Sequence, residues 1–175
     1  VMESNGSIQT LGHKRGIQNY DGPVMILVDK LSASASEILA GAFQDYKRGL
    51  IVGSNTFGKG TVQRLENLSY GQLKFTEQKF YRVSGKSTQN LGVIPDINLP
   101  YVFDSEEVGE MALENSLPYD DISSLEYEPF NSTSNIEMIQ SFSKKRVSDS
   151  NLNEYINDQK IQNKNELDKK LIPVN

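Results

Sequence analysis

The chain contains no cysteine and no tryptophan, and its only histidine is His13. Without thiols, neither disulfides nor thiolate zinc sites can form. With one imidazole, a zinc centre would need an almost purely carboxylate ligand set, so neither metal nor cofactor is expected. No run of about 18 or more apolar residues occurs, which leaves no visible membrane-spanning helix or signal-peptide core. Basic residues are scattered, and the single cluster Lys144-Lys145-Arg146 sits in acidic surroundings, so no nucleic-acid partner is expected. The chain begins at Val1 and is expected to be a piece of a longer polypeptide.

What is present suffices for one ordinary core: 175 residues, 37 % of them hydrophobic. Charge divides the chain unevenly. Up to residue 100 there are eleven Lys and Arg against eight Asp and Glu, and beyond it seven against fifteen. All but one of the 13 glycines fall before that line, as in a turn-rich β-containing part followed by a polar helical one. Three regions are expected: an irregular segment over 1–21, an α/β core over 22–100 and an acidic, helical extension over 101–175.

Within the core, Pro23 to Asp29 is a continuous apolar run of strand length, read as a strand buried on both faces. From Ala35 to Arg48 the residues Ile38, Leu39, Ala42, Phe43 and Tyr46 recur at helical spacing. Leu50 to Gly53 starts a second buried strand, so a βαβ unit occupies about 30 residues. Val62 to Leu65, Leu73 to Val83 and Ile97 to Leu99 read as further strands, and Glu107 to Asn115, Ile136 to Arg146 and Asn153 to Lys170 as surface helices.

Two segments carry chemistry. Ser34 lies in Ser32-Ala33-Ser34-Ala35-Ser36-Glu37 at the strand-to-helix junction, and Lys59 lies 25 residues later in Thr56-Phe57-Gly58-Lys59-Gly60-Thr61-Val62-Gln63. A serine hydroxyl attacks an amide only if a base takes its proton, and Ser with Lys is a constellation that dispenses with histidine. Each residue also has a plain structural reading. Ser34 with Glu37 forms a capping box. Gly53 to Lys59 satisfies G-x-x-x-x-G-K of a nucleotide-binding loop, but Gly60 stands where Ser or Thr would hold magnesium, and Thr61 to Leu65 are β-like rather than a helix start. Asp45 lies eleven residues along the helix, a rise of roughly 16 Å from Ser34, and is read as structural. Asp29 is read as a turn anchor.

Taken together, these motifs resemble the tail-specific, or carboxyl-terminal processing, serine peptidases. The resemblance also takes in Gln44-Asp45-Tyr46-x-Arg48, Gln78 to Gly85 and Ser87-Thr88-Gln89-x-x-Gly92-Val93-x-Pro95-Asp96-Ile97, and covers roughly residues 22–100. Gln78 to Val83 and Leu117-Pro118-Tyr119-Asp120 are similar to the long periplasmic subgroup, whose C-terminal extension is helical. The resemblance implies a partial catalytic core with Ser34 as nucleophile, Lys59 as general base, Gln63 orienting the base and the Ala35 amide as one oxyanion donor. It further implies unfolded or C-terminally tagged protein substrates cleaved near apolar ends, and a periplasmic site of action. A PDZ domain and a second oxyanion donor would lie upstream of Val1, as would any membrane association. A lysine with its ordinary pKa near 10.4 is an ammonium at neutral pH, so such a site has to penalise that charge. Gln63 could donate to the amine or accept from it, and only the donating arrangement would favour the neutral amine. On its own the chain is expected to be inactive. The alternatives are a non-catalytic peptide-binding or adaptor domain and, third, a nucleotide binder.

Overall fold

The computed structural model describes residues 1–3, 5–12, 20–103, 108–130 and 135–167. His13 lies outside them, as do residues 107 and 168–170 of the expected helices. The described part is a mixed α/β fold with two three-stranded sheets and three α-helices.

The parallel sheet is built from the expected βαβ unit. Strand β2 (Met25–Val28) leads through a turn to helix α1 (Ala35–Asp45), which returns to β3 (Leu50–Gly53), and β6 (Ile97–Asn98) pairs on the far side of β3. Register is set by Ile26 opposite Ile51 and Leu27 opposite Val52. Val28, Ala40, Ile51 and Val93 form the buried core, with Ile26 and Phe43 packed against it. Strand β2 is an edge strand, however, with Met25 57 % and Leu27 74 % exposed. The reading of a strand buried on both faces is therefore corrected: only the face toward α1 is covered among the described residues. Helix α1 also ends earlier than its apolar spacing suggested, because Tyr46 caps it and Lys47 turns left-handed at φ 49°.

In the antiparallel sheet the central strand, Gln72–Lys79, has Met2–Glu3 on one side and Thr61–Asn67 on the other. Strand β4 (Thr61–Asn67) and β5 (Gln72–Lys79) form a hairpin closed at Leu68 and Gly71, with an irregularity between Val62 and Gln63. Strand β1 (Met2–Glu3) pairs with the end of β5, so the opening segment finds a partner inside this chain. The strand read from Leu73 to Val83 stops at Lys79.

Beyond residue 100, the helix read over Glu107 to Asn115 is a single 3-10 turn at Glu110–Ala112. Helices α2 (Ile136–Ser148) and α3 (Leu152–Leu167) form as expected, and α2 lies against β6, where Gln140 donates to the Asp96 carbonyl at 2.6 Å. Among the described residues, no helix is long and apolar enough to cross a membrane, and no cluster of His, Asp and Glu could hold a metal ion.

Candidate active site

Asp29 closes the turn between β2 and α1, as expected. Its Oδ1 accepts from the Leu31 and Ser32 amides, both at 3.0 Å, and Tyr101 donates to its Oδ2 at 3.1 Å. The turn delivers Ser34 to the helix start with φ 55° and ψ −111°, a strained backbone for a residue with a Cβ. A sharp strand-to-helix bend of this kind raises a side chain clear of the backbone. Half of the capping box is a firm hydrogen bond, from the Ser34 amide to Glu37 Oε2 at 2.8 Å. The Ser34 hydroxyl faces the Glu37 amide without closing a cap bond, and that amide goes to the Ser34 carbonyl at 2.9 Å. Ala35, first in the helix, is an exposed residue whose amide has no intrahelical acceptor.

Glu37 does more than cap. Its side chain is fully buried, and its carboxylate gathers the second motif around itself. Thr56 Oγ1 donates to Oε1 at 2.5 Å and the Gly58 amide at 2.7 Å, while the Lys59 amide donates to Oε2 at 2.9 Å. The amides of Ser34 and Lys59 therefore meet on one oxygen, and their backbones lie less than two hydrogen bonds apart. A further bond from the Phe57 amide to the Ser32 carbonyl at 2.9 Å closes the seam. Burial raises the Glu37 pKa above the usual carboxylate value, and the bonds from Thr56, Gly58, Ser34 and Lys59 oppose that rise. Beneath the loop the buried Lys30 donates to the Thr56 carbonyl at 3.1 Å; burial lowers its pKa, with the Glu37 charge opposing.

The loop itself depends on glycine. Gly58 has φ +96°, and a Cβ there would lie 2.8 Å from the Asn90 carbonyl. After Gly60 the chain enters β4, so the G-x-x-x-x-G-K match does not open a helix and supplies no phosphate-binding N-terminus. Lys59 is half-buried, and its Nζ donates to Gln63 Oε1 at 3.2 Å, with no hydrogen bond to the Ser34 hydroxyl. Gln63 thus takes the accepting orientation of the two left open by the sequence. It is not the donating orientation, the one of the two that would favour a neutral amine.

Asp45 faces away from this junction. It forms a bidentate pair with Arg82, through Nη2 to Oδ1 and through Nε to Oδ2 at 3.0 Å, and accepts from the Ser84 hydroxyl at 2.9 Å. The structural reading of Asp45 holds, with Arg82 and Ser84 as its partners.

Residues 2–99 match peptidase family S41, and residues 103–175 match the C-terminal domain of tail specific protease. The chain belongs to peptidase family S41. It is 49 % identical over 119 residues to the tail-specific protease of Haemophilus influenzae, covering 63 % of this chain and 17 % of that protein. Over 85 residues it is 45 % identical to the carboxy-terminal-processing protease of Bartonella bacilliformis, 48 % of this chain and 20 % of the relative. Among solved structures, the photosystem II D1 C-terminal processing protease matches at 44 % identity and a TM-score of 0.42, over 47 % of this chain and 22 % of that one. The chain thus spans only about a fifth of the length of these relatives.

Proposed function

We propose that this S41 chain carries the nucleophile and base of a serine endopeptidase in which Ser34 attacks and Lys59 takes the proton. The observation that carries the reading is the shared Glu37 oxygen: one buried carboxylate fixes the amides of both residues, 25 positions apart, next to a serine held in a strained bend. A structural cap alone would not require the loop bearing Lys59.

In the proposed reaction, neutral Lys59 Nζ accepts the Ser34 Oγ proton as Oγ adds to the scissile carbonyl carbon. The Ala35 amide donates to the developing oxyanion, assisted by the positive end of α1. Collapse breaks the C–N bond, Lys59 returns its proton to the leaving amine, and an acyl ester on Ser34 remains. Water then loses a proton to Lys59, attacks the ester and releases the carboxylate product, with the proton passing back to Ser34. Gln63 holds the Lys59 amine in place through the 3.2 Å bond. Approach of the amine to the hydroxyl from its present bond with Gln63 belongs to substrate binding, since catalytic hydrogen bonds are often long before the substrate arrives.

Substrates are extended segments, bound through main-chain hydrogen bonds as an added strand. These are unfolded proteins or C-terminally tagged ones with apolar ends, cleaved on the periplasmic side of a bacterial inner membrane. Substrate capture by a PDZ domain and the second oxyanion donor come from sequence before Val1, and the isolated chain is inactive. The test is cleavage of an unfolded reporter with an apolar tail by the intact protein carrying this chain. Ser34→Ala and Lys59→Ala each abolish it; unaltered turnover in either overturns the assignment. Peptide binding that survives in both, with no cleavage by the wild type, would identify an adaptor.

A further inference from the structure

The loop carrying Lys59 is held from two sides, and only one of them is the serine helix. On the other side, the Glu110 amide donates to the Phe57 carbonyl at 2.9 Å and the Asn90 amide to the Gly58 carbonyl at 2.8 Å. The Gly60 amide donates to Oε1 of the fully buried Gln89 at 2.9 Å. Nε2 of the same amide group donates to Glu110 Oε1 at 3.3 Å and to the Leu117 carbonyl at 3.0 Å. One donor and two acceptors around Gln89 admit a single orientation of its side chain. Gly109 closes the packing: a Cβ there would lie 3.0 Å from both the Lys30 Cε and the Phe57 carbonyl oxygen. Glu110 and Leu117 fall in the stretch matching the C-terminal domain of tail specific protease, whereas Lys59 falls in the S41 stretch.

We infer that the first turn of the C-terminal domain, acting through Gln89 and the Phe57 carbonyl, positions the general base. Glu110 and Gln89 are positioning residues that fix residues 57–60 and through them the placement of the Lys59 amine. The C-terminal domain is thereby a working part of the catalytic loop rather than an appendage to it. This inference rests on the reading of Lys59 as base, and the experiment separates the two.

In the intact protein, Gln89→Glu keeps the acceptor for Gly60 but sets a carboxylate against Glu110 and the Leu117 carbonyl. Active sites are counted with a serine-reactive fluorophosphonate, and turnover of the unfolded reporter is expressed per titrated site. The expected result is kcat lowered about tenfold or more, with KM within about twofold of wild type. Adding Glu110→Gln, which restores a donor opposite residue 89, recovers most of the loss. A purely structural role would lower the melting temperature and the titrated fraction while leaving kcat per site unchanged, and that result overturns the inference, as does a folded double variant without recovery. Should Gln89→Glu not fold, Glu110→Leu removes the acceptor that Gln89 Nε2 meets at 3.3 Å; the same fall in kcat supports the inference and wild-type kcat sinks it. Ser34→Ala and Lys59→Ala run alongside. Turnover surviving in them removes the dyad itself, whereas their loss together with wild-type kcat in Gln89→Glu removes only the role of the C-terminal turn.

Discussion

Replacing Arg82 with Met strands the Asp45 carboxylate inside the protein. The Asp45 and Arg82 side chains are only 8 % and 11 % exposed, and Arg82 also donates to Gln44 Oε1 at 2.9 Å and to the Gly41 carbonyl at 3.4 Å. The guanidinium thus fastens the last turn of α1 to the segment after β5. Removing one partner of a buried, bidentate pair leaves an uncompensated charge at a cost of about 3–5 kcal/mol. For a chain of this size each kcal/mol lowers the melting temperature by about 2–4 °C, so a fall of roughly 6–20 °C is expected. Removing the partner charge as well, in Asp45→Asn with Arg82→Met, recovers much of it, since a neutral pair has no charge to desolvate. The assay is urea and thermal unfolding of the wild-type chain, both single variants and the double, with fluorophosphonate labelling of Ser34 in the intact protein as a second readout. Labelling per folded molecule stays near wild type throughout, because Asp45 touches neither the serine turn nor the Lys59 loop. A cost below about 1 kcal/mol in Arg82→Met refutes the stability reasoning. Loss of labelling in a fully folded Asp45→Asn protein refutes the separation of Asp45 from the chemistry.

Glu37→Gln turns one of two accepting oxygens into a donor, so either the Ser34 and Lys59 amides or the Gly58 amide loses its acceptor, and kcat of the intact protein falls about tenfold or more, measured per titrated site. The raised Glu37 pKa means that the folded chain holds this proton more tightly than the unfolded chain. The stability it contributes is complete below the ordinary value of 4.5 and declines as pH rises through the folded value; urea titrations across that range show the decline in wild type and not in Glu37→Gln. Gly53→Ala places a Cβ 1.8 Å from the Val28 carbonyl at φ +136°, and circular dichroism shows loss of the native fold. Ile51→Ala, at a fully buried core position, costs about 2–5 kcal/mol in urea unfolding.

The strand-helix-strand unit was legible because apolar periodicity switches between Val28 and Ala35 and again at Leu50, and local spacing alone dictates those elements. The exposure of β2 was not, since an apolar run reads the same whether its second face is covered within the chain or left open. Asp29 announced its turn because its backbone partners lie within three residues. Ser34 and Lys59 stood out through their surrounding motifs, while Glu37 was hidden by its own local explanation: a capping box accounts for it fully until the Thr56, Gly58 and Lys59 donors are seen. Arg82 with Asp45, and Gln89 with Gly60, join residues 37 and 29 apart, and long-range hydrogen bonds leave no periodic trace. The helix read around Glu110 failed because Gly109, at φ +141°, takes a backbone through which no helix continues, and the polar pattern on either side conceals that break.

The most direct measurement is the site and rate of covalent modification of the intact protein by a fluorophosphonate, read by peptide mass spectrometry in wild type and Lys59→Ala. Deprotonation of Ser34 by Lys59 predicts a single adduct on Ser34, formed about a hundredfold or more slowly once Lys59 is removed. An adduct on any other residue, or equal labelling rates in the two proteins, would contradict it.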